Sequence, residues 1–245
     1  MTKHLEQVQQ QSRQDAMVGV LMLDTRFPRL IGDIGNAESW PFPVCYRTVK
    51  KASAKKAIQE HPHEFLPGFI HEANALVEEG AVLITTSCGF LSVFQQELLA
   101  AIDVPVVTSA LMQVPWVDST LAGGKRCGVL TIDSNSLSAK HLAAAGAPVD
   151  TPITGMNPLG NFAATIMEDL AQFDIEACRA ENIAAASQLL EQHDEVGAIV
   201  LECTNMAPYA ADIQQATGVP VYSILSLVCW VYAGAAPISF TPENG

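Results

Sequence analysis

Positive charge is scarce in this chain. Thirteen lysines and arginines stand against 26 aspartates and glutamates in 245 residues, a formal net charge of −13. Nucleic acid and anionic membrane surfaces both demand clustered basic side chains, so neither is expected as a partner. Long apolar runs are lacking too. The most apolar stretch, Ile224 to Ala236, is shorter than a bilayer crossing and contains Ser226 and Gly234, so it reads as a buried helix. The segment ahead of Met17 is rich in glutamine, carries Lys3, His4 and Arg13, and lacks the apolar centre of a signal peptide. Residues 1–17 are therefore expected to form a loose tail, with an accessory helix as the other reading. None of the six cysteines falls in a Cys-x-x-Cys pair or at zinc-like spacing from histidine, so no metal site is expected. A chain this long does not depend on disulfide staples, and reduced thiols in a cytoplasmic setting are expected.

What the chain has is core. Apolar residues make up 49% and charged ones 16%, which excludes disorder and supplies two compact domains or one larger one. Lys50, Lys51, Lys55 and Lys56 form one basic cluster. It is either a solvated helix start or a rim that draws in anionic substrates.

Three pairs of segments repeat in order. Val18 to Thr25 matches Cys127 to Ser134, with Gly19 and Gly128 offset by 128 − 19 = 109. Val82 to Cys88 matches Ala198 to Cys203, offset by 203 − 88 = 115. Val104-Pro105-Val106-Val107-Thr108 matches Val219-Pro220-Val221-Tyr222-Ser223, again offset by 115. Such order marks an internal duplication. Continuous apolar runs suit parallel strands buried on both faces, and Val44 to Val49 and Val149 to Ile153 supply a further strand to each half. Between them lie helical patterns: Phe65, Phe69, Ala73 and Leu76 in the first half, then Ile175, Cys178, Ile183, Ala186 and Leu190 in the second. The expected fold is α/β, in two pseudo-symmetric halves (18–122 and 123–245), each a roughly four-stranded parallel sheet flanked by helices, with the site in the cleft between them. The C-terminal helix is allowed to pack back on the first half.

Ligands of open α/β sheets sit beyond the carboxyl ends of the strands. Asp24-Thr25, Ser87-Cys88-Gly89, Thr108, Asp133-Ser134 and Cys203-Thr204-Asn205 fall there. The segment from Arg26 to Pro43 leaves from the same edge without helical period, as a functional loop or as a surface excursion. A lone cysteine beside a strand is usually a small hydrophobe, and Cys45, Cys127, Cys178 and Cys229 are read so. Cys88 and Cys203 differ because they occupy equivalent strand-to-helix junctions. Unpaired N–H groups in the first turn after each would favour thiolate and bind a carboxylate. One thiolate can then take a proton from carbon while the opposing thiol delivers one to the other face.

These strand-end cysteines in duplicated halves resemble the cofactor-independent aspartate/glutamate/hydantoin racemase superfamily, over nearly the whole chain from Val18. Cys203-Thr204-Asn205 is similar to the second-half Cys-Thr motif and resembles the maleate isomerase branch. Ser87-Cys88-Gly89 resembles a motif of the arylmalonate decarboxylase branch. The resemblance implies Cys88 and Cys203 as the acid/base pair. It implies that Thr204, Asn205 and the amides after each cysteine hold a carboxylate. Asp24, Thr25, Ser87 and Gly89, from their place at the strand-end edge, and Phe90, from its place beside Cys88, are the further expected substrate contacts. No cofactor, pyridoxal phosphate included, is required by two-thiol chemistry.

The departures narrow the substrate. Arg26-Phe27-Pro28 follows Asp24-Thr25 where glutamate racemases have glycines. Gly89-Phe90 replaces Asn-Thr, and Asn205 replaces histidine. Free glutamate is not expected. Phe90 either contacts an apolar or cyclic group or packs a helix. Glu202 either lifts the neighbouring thiol or turns into the core. The leading expectation is a racemase or epimerase acting beside a carboxylate or imide carbonyl, on a small carboxylate or cyclic imide. Same-fold cis–trans isomerisation or decarboxylation with one cysteine, a non-catalytic carboxylate-binding protein, and a redox thiol pair are the other readings. Homo-oligomerisation is left open.

Overall fold

The duplication of the sequence is a duplication of sheets. A computed structural model describes residues 16–59 and 62–238. Its strands are β1 (Met17–Leu23), β2 (Val44–Val49), β3 (Ala81–Thr86), β4 (Val106–Val107), β5 (Arg126–Thr131), β6 (Ile153–Gly155), β7 (Val196–Leu201) and β8 (Val221–Tyr222). They form two parallel four-stranded sheets, ordered β2-β1-β3-β4 and β6-β5-β7-β8. Each strand of the first sheet thus has its counterpart at the same place in the second. The segment expected as a tail lies outside the described residues up to position 15; Ala16 is buried and Met17 opens β1.

The matched runs make matched hydrogen bonds. Ser87 N donates to Leu21 O, and Glu202 N to Leu130 O, both at 2.9 Å. Ile84 N donates to the carbonyl of Pro105, and Ile199 N to that of Pro220, again at 2.9 Å. Each proline precedes a two-residue edge strand, where the missing N–H costs no ladder bond. The glycines of the central strands have a shared cause. A Cβ on Gly19 would sit 3.0 Å from Leu76, and one on Gly128 would sit 2.7 Å from Leu189. Both leucines belong to the helices that cover the sheets, Leu66–Glu78 and Ile175–Gln192. Only a bare backbone allows those helices so close.

Two expectations shift. The run from Val149 to Ile153 becomes strand only at its last residue, because Pro148 and Pro152 hold the preceding segment in a turn closed by Thr151. The long second-half helix buries Cys178, Asn182, Ala185, Ala186 and Leu189, while Ile175 is largely exposed. That inward stripe keeps helical spacing but is completed by Asn182 and an alanine rather than by Ile183 and Leu190.

The halves are joined by direct bonds. Ser92 Oγ donates to His141 O at 3.1 Å, and Gln113 Nε2 donates to Ser223 O at 2.8 Å. The C-terminal helix Ile224–Ala235 lies against the first half, its Tyr232 hydroxyl donating to Ala16 O and its ring stacking on Phe42 at 4.0 Å. Among the described residues no helix is long and apolar enough to cross a membrane.

Candidate active site

Two short 3₁₀ turns face each other at the strand ends. After β3 the chain runs through Ser87 and Cys88 into the turn Gly89–Phe94; after β7 it runs through Glu202 and Cys203 into Thr204–Tyr209. Each cysteine is extended and caps its turn, which aims the first N–H groups of that turn at its sulfur. Both thiols line one narrow cavity, together with Ser87, Gly89, Phe90, Glu202, Thr204 and Asn205. Each cysteine is 7% exposed, so access to the cavity is restricted. Leu23, Phe27, Ile58, Ile132 and Ile166 make the rest of the wall largely apolar. The two strand ends are tied across the cavity: the Thr204 hydroxyl donates to the carbonyl of Ser87 at 2.8 Å.

The structure brings together seven of the nine residues expected from sequence. Ser87 Oγ accepts from Leu23 N at 2.9 Å, which fixes the β1–β3 junction beneath Cys88. Phe90 lines the cavity and also packs edge-on against His141 at 5.2 Å, so both readings of that ring hold. Asp24 and Thr25 do not reach the cavity wall. Asp24 is exposed and accepts from Lys51 N at 3.0 Å. Thr25 is one step removed, accepting from Arg29 Nη2 at 2.9 Å.

Arg29 is the residue that the sequence analysis missed. It lines the cavity, its side chain only 13% exposed, and its guanidinium lies 4.4 Å from the centre of the Phe27 ring. Asp33 pairs with it at 3.2 Å and in turn accepts from Asn205 Nδ2 at 2.6 Å. The 26–43 segment is therefore fastened to the second-half turn by a buried acid. It is also fastened at the surface, where Arg26 and Phe27 donate backbone N–H groups to Asp169. The only available signal for Arg29 was its place on that edge loop.

Electrostatics inside the cavity overturn one expectation. First-turn amides do favour thiolate, but burial outweighs them. Burial and the charge of Glu202 push Cys88 up to about 12, against the N–H groups of Phe90 and Leu91 and the more distant Arg29, which pull it down. Cys203 is raised well above its ordinary value by burial and Glu202, with only the Asn205 N–H opposing and with Cys88 and Asp33 adding to the rise. Cys88 is the better supported thiolate. Glu202 itself is lifted by burial to about 8. Its Oε2 accepts from the Thr131 hydroxyl at 2.7 Å, while Oε1 has no hydrogen-bond partner. That side chain is both core-bonded and on the cavity wall, so the sequence alternatives merge.

Paired four-stranded parallel sheets, with mirrored strand-end cysteines lining one cavity, give the chain the α/β fold seen in racemase-type proteins. Residues 112–231 match the family described as Asp/Glu/Hydantoin racemase. Among solved structures, allantoin racemase from Pseudomonas fluorescens is similar over 93% of this chain and 94% of its own, with a TM-score of 0.60 and 16% identity. Arylmalonate decarboxylase is similar over 94% and 97%, with a TM-score of 0.56 and 14% identity. These likenesses are of fold. In sequence, a dimethylsulfoniopropionate lyase of Durusdinium sp. clade D is 28% identical over 86% of this chain and 72% of its own length. The chain spans 45% to 70% of the similar dimethylsulfoniopropionate lyases of Emiliania huxleyi.

Proposed function

We propose that this protein is a cysteine-dependent lyase that removes a proton next to a carboxylate and expels a leaving group from the adjacent carbon. Dimethylsulfoniopropionate, the substrate named for its sequence relatives, is the first candidate. The observation that carries this reading is the pair of buried thiols on one cavity that is also lined by a cation, Arg29. Removal of a proton next to a carboxylate is the step that racemases and such a lyase share, so one scaffold serves both.

The chemistry follows from the geometry. Arg29, and the N–H groups beyond each cysteine, hold the carboxylate and stabilise charge that spreads into it. Cys88 rests as a thiol; once its proton has passed to solvent, the sulfur takes the proton from C2. The C–H electron pair becomes the C2–C3 double bond. The C3–sulfur bond breaks with its pair going to sulfur, so dimethyl sulfide leaves neutral and acrylate remains. Cys88 then returns its proton to solvent. A neutral leaving group needs no acid, so Cys203 has a lesser role here than in racemisation.

Racemisation or epimerisation is the second reading, and the equivalence of the two strand-end thiols favours it. One experiment separates the two. Reduced protein is incubated in heavy water with dimethylsulfoniopropionate and with chiral carboxylates, hydantoins and allantoin, and followed by proton NMR. Vinyl signals and a dimethyl sulfide methyl signal support the lyase. Deuterium entering an α-position with inversion and no vinyl product supports the racemase instead.

A further inference from the structure

We propose that Glu202 is the counter-charge for a cationic group carried by the substrate, so that the cavity selects a carboxylate with a positive, donor-free far end. The inference rests on the lyase reading of the same cavity and names the feature of the substrate that the site recognises.

Glu202 is fully buried, and one of its two oxygens is bonded to Thr131. The other, Oε1, has no partner and lies 2.4 Å from where a Cβ on Gly89 would stand. It therefore rests directly against the backbone that follows Cys88, and Glu202 is one of the residues that line the cavity. A buried carboxyl oxygen without a partner costs free energy, and an aliphatic residue there would cost none. The duplicated position in the first half, 202 − 115 = 87, is a serine whose hydroxyl is satisfied by Leu23 N. The carboxyl is thus peculiar to the second half and is not a requirement of the strand-end geometry.

The charges around it say what it would accept. Arg29 supplies the anion-binding group, and its own partner Asp33 is committed to it and to Asn205. A second carboxylate on the ligand would lose its water against a largely apolar wall and find no cation beside Glu202, which disfavours malonates and maleate. A cation there would draw the proton off Glu202, an acid held near neutrality at about 8 by burial. An ammonium brings three N–H donors and meets one free acceptor. The neighbouring polar groups are engaged: Thr204 donates to Ser87 O, and the Asn205 amide donates to Asp33. A sulfonium has no N–H, and its methyl groups suit the apolar wall of Phe27, Ile58, Ile132 and Ile166.

The test is a binding measurement on protein made inactive by Cys88→Ser, titrated calorimetrically with three acids. These are dimethylsulfoniopropionate, its uncharged carbon analogue 4-methylpentanoate, and the dicarboxylate glutarate. The sulfonium acid should bind at least about tenfold more tightly than 4-methylpentanoate, with glutarate weakest. Adding Glu202→Gln should bring the first ratio close to one while 4-methylpentanoate binding stays within about threefold. Equal binding of the sulfonium acid and its carbon analogue, or a preference that survives Glu202→Gln, overturns the proposal. Should Glu202→Gln fail to fold, the order of the three acids on the Cys88→Ser protein decides. Absence of turnover by the unsubstituted enzyme would sink the lyase reading and leave this binding order separately measurable.

Discussion

At the end of β3 the chain reads Ser87-Cys88-Gly89-Phe90; 115 residues on, at the end of β7, it reads Glu202-Cys203-Thr204-Asn205. The strand-end amides match, Ser87 N donating to Leu21 O and Glu202 N to Leu130 O. Only the cysteine is shared. The first-half turn presents a hydroxyl, a bare glycine and an aromatic ring. The second presents a carboxyl, a hydroxyl that grips the first half and an amide that grips the 26–43 loop. Duplication supplied a symmetric frame, and divergence of three side chains made the two thiols unequal. Cys88 has two amides and a cation on its side, whereas Cys203 has one amide and an additional acid, Asp33, against it.

That inequality is what substitutions should expose. Cys88→Ser is expected to lower kcat/KM for the sulfonium acid about 1,000-fold, read as acrylate formation, since serine keeps the shape and loses the base. Replacing Arg29 comes next. Arg29→Gln should raise KM about 10- to 100-fold, and Arg29→Lys should recover part of it, because the carboxylate loses a charged donor. Gly89→Ala tests the close packing between halves through stability. Its Cβ would stand 2.3 Å from Glu202 O, a backbone atom that cannot step aside. The expected cost is about 1–3 kcal/mol, seen as a Tm lower by roughly 2–10 °C.

The smallest effect is a slope. Glu202 is raised from 4.5 to about 8, so between these values the folded protein holds a proton that the unfolded chain releases. Stability is then full below pH 4.5 and falls as pH rises through 8, by on the order of a few kcal/mol. Thermal melts of the unsubstituted protein should show this fall, and Glu202→Gln should flatten it. Carboxylates held low by their partners, such as Glu181 and Asp169, act in the opposite sense and below their ordinary values, outside this window.

Much of the frame was legible in the sequence because it is written in short runs. Val44–Val49 became β2 at its expected ends, and the three duplicated pairs became structurally equivalent strands. Cys88 and Cys203 could be placed on one cavity because strand-end position follows from topology alone. Arg29 could not be read this way. Its direction depends on Asp33, and Asp33 is held by Asn205, 172 residues away, a contact without any local signature. The height of the thiol pKa values was also out of reach. The amides that lower them follow from local turn geometry, but the burial that outweighs them is a property of the closed cavity.

The most direct test of unequal thiols is to assay Cys88→Ser and Cys203→Ser side by side for elimination from dimethylsulfoniopropionate, each checked for folding by circular dichroism. The account predicts a loss at Cys88 about 100-fold greater than the loss at Cys203. Equal losses at both would contradict it and return the pair to the mirror-image acid and base of a racemase.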